Sequence, residues 1–437
     1  MPGVMKVIAT TKVCLLFLSL EMTGWICAMA QAQRLFDFER EPIHYHNRPT
    51  SNVVTRLQSS IDSGKVDLVF KEPRGYLDSI LQYLKISKST QSLVFSKSSA
   101  QLRKISPSRP RALYFNEHVY VGWVQGGKVI ELIASDPELG TVFYSLKQEN
   151  EVKPRLLRDK GQCLQCHAHR RTRDVPGPVV RSLYTGSDGQ PILNFGDYVS
   201  DHTSPFSERW GGYYVTGTHG EMLHMGNLLS DRNQSLLEID YSQGANISDL
   251  SGWFDTRPYL SAHSDIVALM VLEHQSQMQN LITRANYEVV RGRYYDKARE
   301  SNQDFPSDLS KRLVARAGND LLKYMLFTGE FRLRSPVSGT SGFARQFSAR
   351  GPRDRKGRSL YQLDLVTRMF KYPVSYMVYT ESFRRLPSRV MVHIRRELRK
   401  VLTASSTDDD YAHLDLKDRR AIFEILKDTC PDLADRW

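Results

Sequence analysis

Residues 111–147 read RALYFNEHVYVGWVQGGKVIELIASDPELGTVFYSLK, and this stretch decides the fold class. Aromatic and β-branched residues cluster in four short runs, at 112–115, 119–124, 129–134 and 142–146. Short polar connections that contain Asn, Asp, Gly and Pro separate the runs, and such connections are typical of hairpin turns. The pattern therefore predicts an antiparallel β-meander.

Helical patterns come before the meander. Residues 52–63 place valine, leucine and isoleucine at the spacing of one helix face, and Gly64 suits the end of that helix. Residues 76–84 show the same spacing in a shorter segment. We therefore expect residues 33–110 to form an N-terminal helical segment.

A Cys-x-x-Cys-His motif follows the meander, at Cys163, Cys166 and His167. This motif is the signature of covalent attachment of a c-type haem. The two thiols add to the vinyl groups of the haem, and the adjacent histidine ligates the iron. A zinc site is disfavoured because no second Cys-x-x-Cys completes it, and a redox dithiol does not require the histidine. The sequence predicts one covalent haem c, held by Cys163 and Cys166, with His167 as proximal iron ligand.

Residues 1–32 have the character of a signal peptide. Lys6 and Lys12 precede an apolar run at 13–20, and small residues at the end of the segment fit an A-x-A cleavage pattern. Glu21 interrupts the apolar character, which counts against a permanent transmembrane helix. We expect an exported, periplasmic protein. An uncleaved segment that attaches the protein to the periplasmic side of the membrane is the alternative.

Cleavage of the signal peptide would also reduce the number of cysteines. It removes Cys14 and Cys27 and leaves Cys163, Cys166 and Cys430, which is no disulfide framework. Two of the three remaining cysteines belong to the Cys-x-x-Cys-His motif. Export agrees with the haem prediction, because c-type haem is attached outside the bacterial cytoplasm.

The composition excludes few classes of partner. The chain has 437 residues and a formal net charge of +12. The length predicts two or three domains. The basic residues are spread along the chain without a block dense enough to indicate nucleic-acid binding, so no nucleic-acid partner is expected.

Beyond the motif, residues 179–184 and 191–195 predict a further hairpin. Residues 201–227 then concentrate aromatic residues, histidines and glycines, and glycines let a backbone approach a flat ligand closely. We interpret this run as part of a haem pocket. Residues 111–262 are accordingly predicted to form an α+β haem-binding domain in which the antiparallel meander wraps the haem.

The rest of the chain has mainly helical patterns. Residues 264–284 predict a long helix, and residues 307–324, 387–402 and 415–427 predict three more. We therefore expect residues 263–437 to form a mainly helical C-terminal region.

A six-coordinate haem needs a second axial ligand, which is usually Met or His. The preferred candidates are Met225 or His224, because they end the Gly-rich and aromatic run, and His219 follows. His202, Met222, His274 and Met278 are further candidates, and His169 lies too close to His167 to reach the opposite face of the haem easily. The sequence leaves the choice open.

Several further segments carry a family resemblance. Together with the Cys-x-x-Cys-His motif, they resemble a family of exported bacterial proteins known only as cytochrome c domain-containing. The resemblance implies a single c-type haem and export, and it implies no particular reaction. The segments are residues 91–97 (QSLVFSK), 110–116 (PRALYFN), 119–124 (VYVGWV), 209–212 (RWGG), 224–227 (HMGN), 271–275 (VLEHQ), 357–360 (GRSL), 371–376 (KYPVSY) and 418–422 (DRRAI).

The sequence thus favours a mono-haem, cytochrome-like protein that transfers electrons to or from a redox partner protein. Two alternatives stay open, and both need an open distal site at the iron. One is a haem enzyme of the peroxidase type, in which a histidine such as His202, His219 or His224 serves as acid and base. The other is a haem-based sensor.

Overall fold

The computed structural model describes residues 37–298, 307–403 and 409–434. The predicted signal peptide, at residues 1–32, lies outside the described residues. Within them the chain has an α+β fold. The strands are, in chain order, β1 (Ser92–Val94), β2 (Arg111–Phe115), β3 (Val119–Trp123), β4 (Val129–Asp136), β5 (Gly140–Lys147), β6 (Leu156–Arg158), β7 (Arg181–Leu183), β8 (Asp197–Val199), β9 (Tyr213–Tyr214), β10 (Gly217–Thr218) and β11 (Ser338–Gly339).

In the described part of the chain, seven strands form one antiparallel sheet, in the order β6-β5-β4-β3-β2-β1-β9. The predicted meander is confirmed as β2 to β5. Its longest ladder pairs Val129 with Lys147 at one end and Asp136 with Gly140 at the other. Gly140 has a φ of +77°, a conformation that glycine adopts without strain, and it begins the strand directly after the turn.

Helices account for most of the remaining regular structure. They are, in chain order, α1 (Val53–Asp62), α2 (Leu77–Tyr83), α3 (Leu164–His167), α4 (Ile266–Ala298), α5 (Asp308–Met325), α6 (Phe343–Ser348), α7 (Glu381–Arg384), α8 (Ser388–Thr403), α9 (Leu416–Thr429) and α10 (Pro431–Ala434).

Helix α4 lies at the centre of the fold. Every side chain from Ile266 to Thr283 is buried, although the middle of this stretch is polar. Phe115 and Tyr120 of the sheet belong to the same core cluster as Met270 of α4. The sequence predicted a helix with one apolar face, whereas α4 is buried on all sides of its first half. Its polar side chains therefore need partners inside the protein.

Helix α1 is fixed to the sheet through Asn52, the N-cap residue that directly precedes it. The Oδ1 atom of Asn52 accepts hydrogen bonds from the backbone N–H groups of Val54 and Thr55, which caps the helix. Its Nδ2 atom donates to Asp136 at 3.2 Å and to the Tyr144 hydroxyl at 2.9 Å. One buried asparagine thus begins a helix and ties it to β4 and β5.

The predicted hairpin after the motif has a different second strand. Strand β7 pairs with β8, whereas residues 193–195 form a short 3₁₀ turn. The Arg181 guanidinium of β7 binds the Asp197 carboxylate of β8 at 2.6 Å, which aligns the two strands. The assignment of residues 191–195 to a strand was wrong, because this polar pair and the turn determine the register.

Residues 49–437 form one compact unit, and the preceding residues belong to another that ends at Arg48. In the described part of the first unit, His46 Nδ1 lies 2.6 Å from the Glu39 carboxylate. The boundaries expected at residues 110 and 262 stay predictions, although β1 precedes the first of them and joins the large sheet.

No helix within the described ranges has the length and apolarity needed to cross a bilayer.

Candidate functional site

The loop that carries the Cys-x-x-Cys-His motif is anchored to the sheet by Asp159. Its backbone N–H donates to the Phe143 carbonyl of β5 at 2.9 Å. Its Oδ2 atom accepts from the N–H groups of Gly161 at 2.8 Å and Cys163 at 3.1 Å. These bonds fix the chain where α3 begins, so a short polar turn holds the first cysteine of the motif in place.

His167 ends α3, and its ring has a defined tautomer. The Nδ1 atom lies 3.0 Å from the carbonyl oxygen of Gly177. A carbonyl can only accept a hydrogen bond, so Nδ1 carries the proton and Nε2 keeps a free lone pair. The N–H of Gly177 donates in return to the His167 carbonyl at 2.8 Å. Metal-binding histidines typically have such an arrangement, with one nitrogen donating to a carbonyl and the other free for the metal.

The charge state of His167 agrees with this role. Burial lowers the pKa of His167 to about 4, and the positive charge of Arg111 acts in the same direction. The hydrogen bond to Gly177 opposes the shift. Its ring centroid lies 5.1 Å from that of Phe143 in β5. At neutral pH the imidazole is therefore uncharged, which is the form that binds iron.

Helix α4 supports the loop whose Gly177 carbonyl orients His167. Asn280 of α4 donates from Nδ2 to the Pro178 carbonyl at 2.9 Å. A Cβ atom on Gly177 would come within 1.9 Å of Asn280 Oδ1, so only glycine lets the loop approach the helix this closely. The long central helix thus positions His167 through one loop.

The two cysteines of the motif are free thiols near the surface. Cys163 is half-buried and Cys166 is exposed. Burial raises the pKa of Cys163 to about 12, with the Asp159 carboxylate adding to the shift. A reactive redox dithiol needs a cysteine whose pKa is lowered. The surroundings of Cys163 therefore disfavour a thioredoxin-type reaction.

A charged pair lies on the sheet near His167. Arg111 Nη1 of β2 donates to the Glu131 carboxylate of β4 at 3.1 Å. The Nε atom of Arg111 is buried without a hydrogen-bond partner among the described residues. Both charges perturb the pKa of His167, Arg111 downward and Glu131 upward. A bound group with acceptor oxygens would satisfy this donor.

The candidate distal ligands lie together in the loop after β10. His219 Nε2 accepts from the Asn246 N–H at 3.0 Å, and His224 Nδ1 accepts from the Gly226 N–H at 3.0 Å. Each ring therefore carries its proton on the other nitrogen, and those two nitrogens are buried without a partner among the described residues. In this conformation neither ring offers a lone pair to iron.

Met225 is similarly engaged. Its sulfur accepts from the Ser182 hydroxyl at 3.6 Å, and its side chain packs with Tyr184 and Ile192. No hydrogen bond in the described part of the chain joins Met225 to His167. The assignment of the sixth ligand to Met225, His224 or His219 stays a prediction. The His169 side chain bonds within its own turn, where its Nδ1 atom accepts a hydrogen bond from the Arg171 N–H at 3.0 Å.

His202 and His274 form a buried pair in the core, away from the surface. Their Nδ1 atoms are 2.8 Å apart, and His274 Nε2 lies 2.8 Å from the Ser375 hydroxyl. Tyr324 stacks on both rings. Burial holds the pKa of both histidines well below the usual range, so both are neutral.

This pair predicts a specific dependence of stability on pH. Both folded-state pKa values are lowered, so below about pH 6.5 the unfolded chain binds protons that the folded chain does not. The free energy of unfolding should therefore decrease as pH falls below about 6.5, by up to about 1.4 kcal/mol per pH unit for each histidine. In the His274→Gln variant, the slope of the unfolding free energy against pH should be smaller by the contribution of one histidine. Urea unfolding at pH 8, 6.5 and 5.5 measures it, and equal slopes in both proteins would contradict the expectation.

The sequence did not predict the ion pair beside these histidines. Arg209 pairs with Glu273, and Trp210 Nε1 donates to the same carboxylate at 3.1 Å. Burial raises the pKa of Glu273, and the positive charge of Arg209 and the Trp210 hydrogen bond oppose that shift. Arg209 also donates to the Ser204 carbonyl at 2.7 Å. The RWGG and VLEHQ segments, noted only for a resemblance, thus meet in the core.

Two clefts, of about 640 and 510 Å³, open elsewhere and share His118 and Tyr379 in their linings. Neither is lined by the motif residues. Among the described residues, no group of three or more His, Cys, Asp or Glu side chains is arranged to hold a metal ion. A haem iron takes four ligands from the porphyrin, so it needs only one or two from the protein.

Comparison with protein-family models, with curated proteins and with solved structures gives no match for this chain. The motif and the geometry around it are therefore the features that point to a function.

Proposed function

We propose that this chain is an exported, mono-haem c-type cytochrome-like protein that exchanges electrons with a redox partner protein. The observation that carries the proposal is the His167 ring, whose Nδ1 donates to the Gly177 carbonyl and whose Nε2 is free. This ring directly follows two unpaired cysteines at haem-attachment spacing.

The residues present fit the group that the motif implies. Cys163 and Cys166 would hold the haem covalently, and His167 would ligate its iron. The bound haem supplies the one-electron chemistry. Asp159 holds the start of α3 in place, and Gly177 holds the tautomer and direction of His167.

The other parts of the proposal concern the haem environment and location. The large sheet contributes Phe143 and the Arg111–Glu131 pair to the surroundings of His167. In our proposal the α+β domain wraps the haem. We place the protein in the periplasm, or on the periplasmic side of the membrane if residues 1–32 remain attached. The family resemblance, which implies export, supports the same location.

A second candidate function is a haem enzyme with an open distal site. It is favoured by the state of His219 and His224, which present buried N–H donors instead of lone pairs. Such donors would stabilise a small oxygen-containing ligand by hydrogen bonding and would not coordinate iron themselves.

Absorption and EPR spectra, recorded with and without carbon monoxide, test the two functions. The chain should be produced in a bacterial host that attaches c-type haem. A low-spin haem that is indifferent to carbon monoxide supports electron transfer, and a high-spin haem that binds it supports the open-site enzyme. His167→Ala should keep the covalent haem and lose the native spectrum. His169→Ala, which alters a histidine two residues away, should leave the spectrum unchanged.

A further inference from the structure

The chain around the attachment helix α3 is strongly basic. Residues 153–173 carry seven Lys or Arg residues and one Asp. Four of these cations are exposed and form neither an ion pair nor a side-chain hydrogen bond with any described residue, and we call them the basic rim. The basic rim consists of Lys153, Arg155, Lys160 and Arg170.

The rim flanks both ends of the motif. Lys160 precedes Cys163 by three residues, within the turn that Asp159 holds, and Arg170 follows His167 by three residues. Both positions therefore lie close to α3. Lys153 and Arg155 precede β6, the strand that forms one edge of the large sheet.

Neighbouring charges add to the positive potential. Arg171 and Arg181 share the single carboxylate of Asp197, which leaves one positive charge in excess. Arg173 donates to the side-chain oxygen of Gln277, a neutral acceptor, so its charge is not compensated there. The local excess of positive charge is thus a property of the folded surface as well as of the sequence.

Exposed apolar groups occur in the same stretch of chain. Cys166 is exposed, and a haem bound to it would have its attachment edge at the surface. Leu157 of β6 is 50% exposed and Val152 is 95% exposed. Electron-transfer complexes are small and transient, and charge complementarity steers their formation.

We propose that the basic rim and the exposed apolar groups of the same stretch form the docking surface for an acidic redox protein. This inference rests on the proposed electron-transfer function. The rim raises the local concentration of an acidic partner at the haem edge, and Leu157 and Val152 provide the dry contact. One electron then passes from the reduced protein to the oxidised partner, or in the reverse direction, without transfer of atoms.

The rate of oxidation of the reduced, haem-loaded protein by ferricyanide tests the local charge. In this reaction one electron leaves the protein and ferricyanide becomes ferrocyanide. Lys160→Glu/Arg170→Glu should lower the second-order rate constant about tenfold at low ionic strength, because favourable local charge accelerates association. The difference should shrink with added salt. With hexaammineruthenium(III), a cation, the same variant should react faster.

Lys417→Glu/Lys427→Glu is the matched control, because it makes the same change of net charge at two exposed positions of α9. Its rate with ferricyanide should change by less than about threefold, since α9 carries none of the residues that flank the motif. Equal effects of the two variants would overturn the docking surface and leave only the net charge of +12 as the cause.

The haem spectrum of each variant is recorded first, so absence of haem counts against the proposed function and not against the surface. If the charge-reversal variant folds poorly, Lys160→Gln/Arg170→Gln replaces it, with a smaller decrease expected. An acidic plant-type ferredoxin is the second probe. Loss of its salt-dependent association in the rim variant alone supports the surface, and association unchanged by the rim substitutions overturns it.

Discussion

Replacing both Cys163 and Cys166 with serine should leave the chain without covalently bound haem. The serine hydroxyl does not add to the haem vinyl groups, and the chain has no other cysteine pair at this spacing. Haem staining after denaturing electrophoresis and the intact mass of the purified protein measure the loss. Covalent haem in the double variant would show that the premise of the proposed function is wrong.

Cys430→Ser is the matched control for this experiment. Cys430 is also a free thiol, but it is buried in the C-terminal core and lies outside the motif. The variant should keep its full content of covalent haem, even if its stability decreases. Retention of haem here and loss in the double variant would assign attachment to the motif.

The same double variant should remain folded. The motif lies at the surface, where Cys166 is exposed, and the side chains around α4 are packed without contribution from either cysteine. Far-ultraviolet circular dichroism should therefore match that of the wild-type protein. Global unfolding of the double variant would mean that the haem is part of the core, as in small cytochromes.

Replacing Glu273 with alanine should decrease the free energy of unfolding by about 3–5 kcal/mol, because it leaves the buried Arg209 guanidinium without its counter-charge. Both side chains are almost fully buried, at 3% and 0% exposure. The change also removes the acceptor of Trp210 Nε1. Urea denaturation followed by tryptophan fluorescence measures the difference.

Asp255→Ala provides the control, since Asp255 forms an ion pair with Arg257 on the surface. Its free energy of unfolding should be indistinguishable from that of the wild-type protein, because exposed ion pairs contribute little. Glu273→Gln separates the two contributions, since it keeps an acceptor for Trp210 and loses the charge that Arg209 needs. An unchanged midpoint for Glu273→Ala would contradict the assignment of this pair to the core.

The sheet and most helices follow from local patterns in the sequence. The meander was predicted because alternating apolar residues and short polar turns act over a few neighbours. The hairpin after the motif was partly misplaced, since Asp197 pairs with Arg181 and Arg171 at sites that no local pattern connects. The burial of the polar residues in the middle of α4 was not predicted for the same reason, because their partners come from distant segments.

The motif itself could be read from the sequence, but its supporting residues could not. Gly177 lies ten residues after His167 and is just one of the glycines in that region. Its importance depends on Asn280, which lies 102 residues beyond the loop residue Pro178 that it holds. No spacing rule links such positions, because packing of α4 against the loop brings them together.

Residues that are close along the chain are enough to specify the antiparallel meander and the Cys-x-x-Cys-His motif, from which haem attachment was predicted. The free nitrogen of His167, the charges around that ring and the contact of Arg209 with Glu273 across 64 residues follow from the folded chain and not from local sequence. Tautomers, ion pairs and surface charge depend on which distant segments pack together, and that packing is a property of the whole fold.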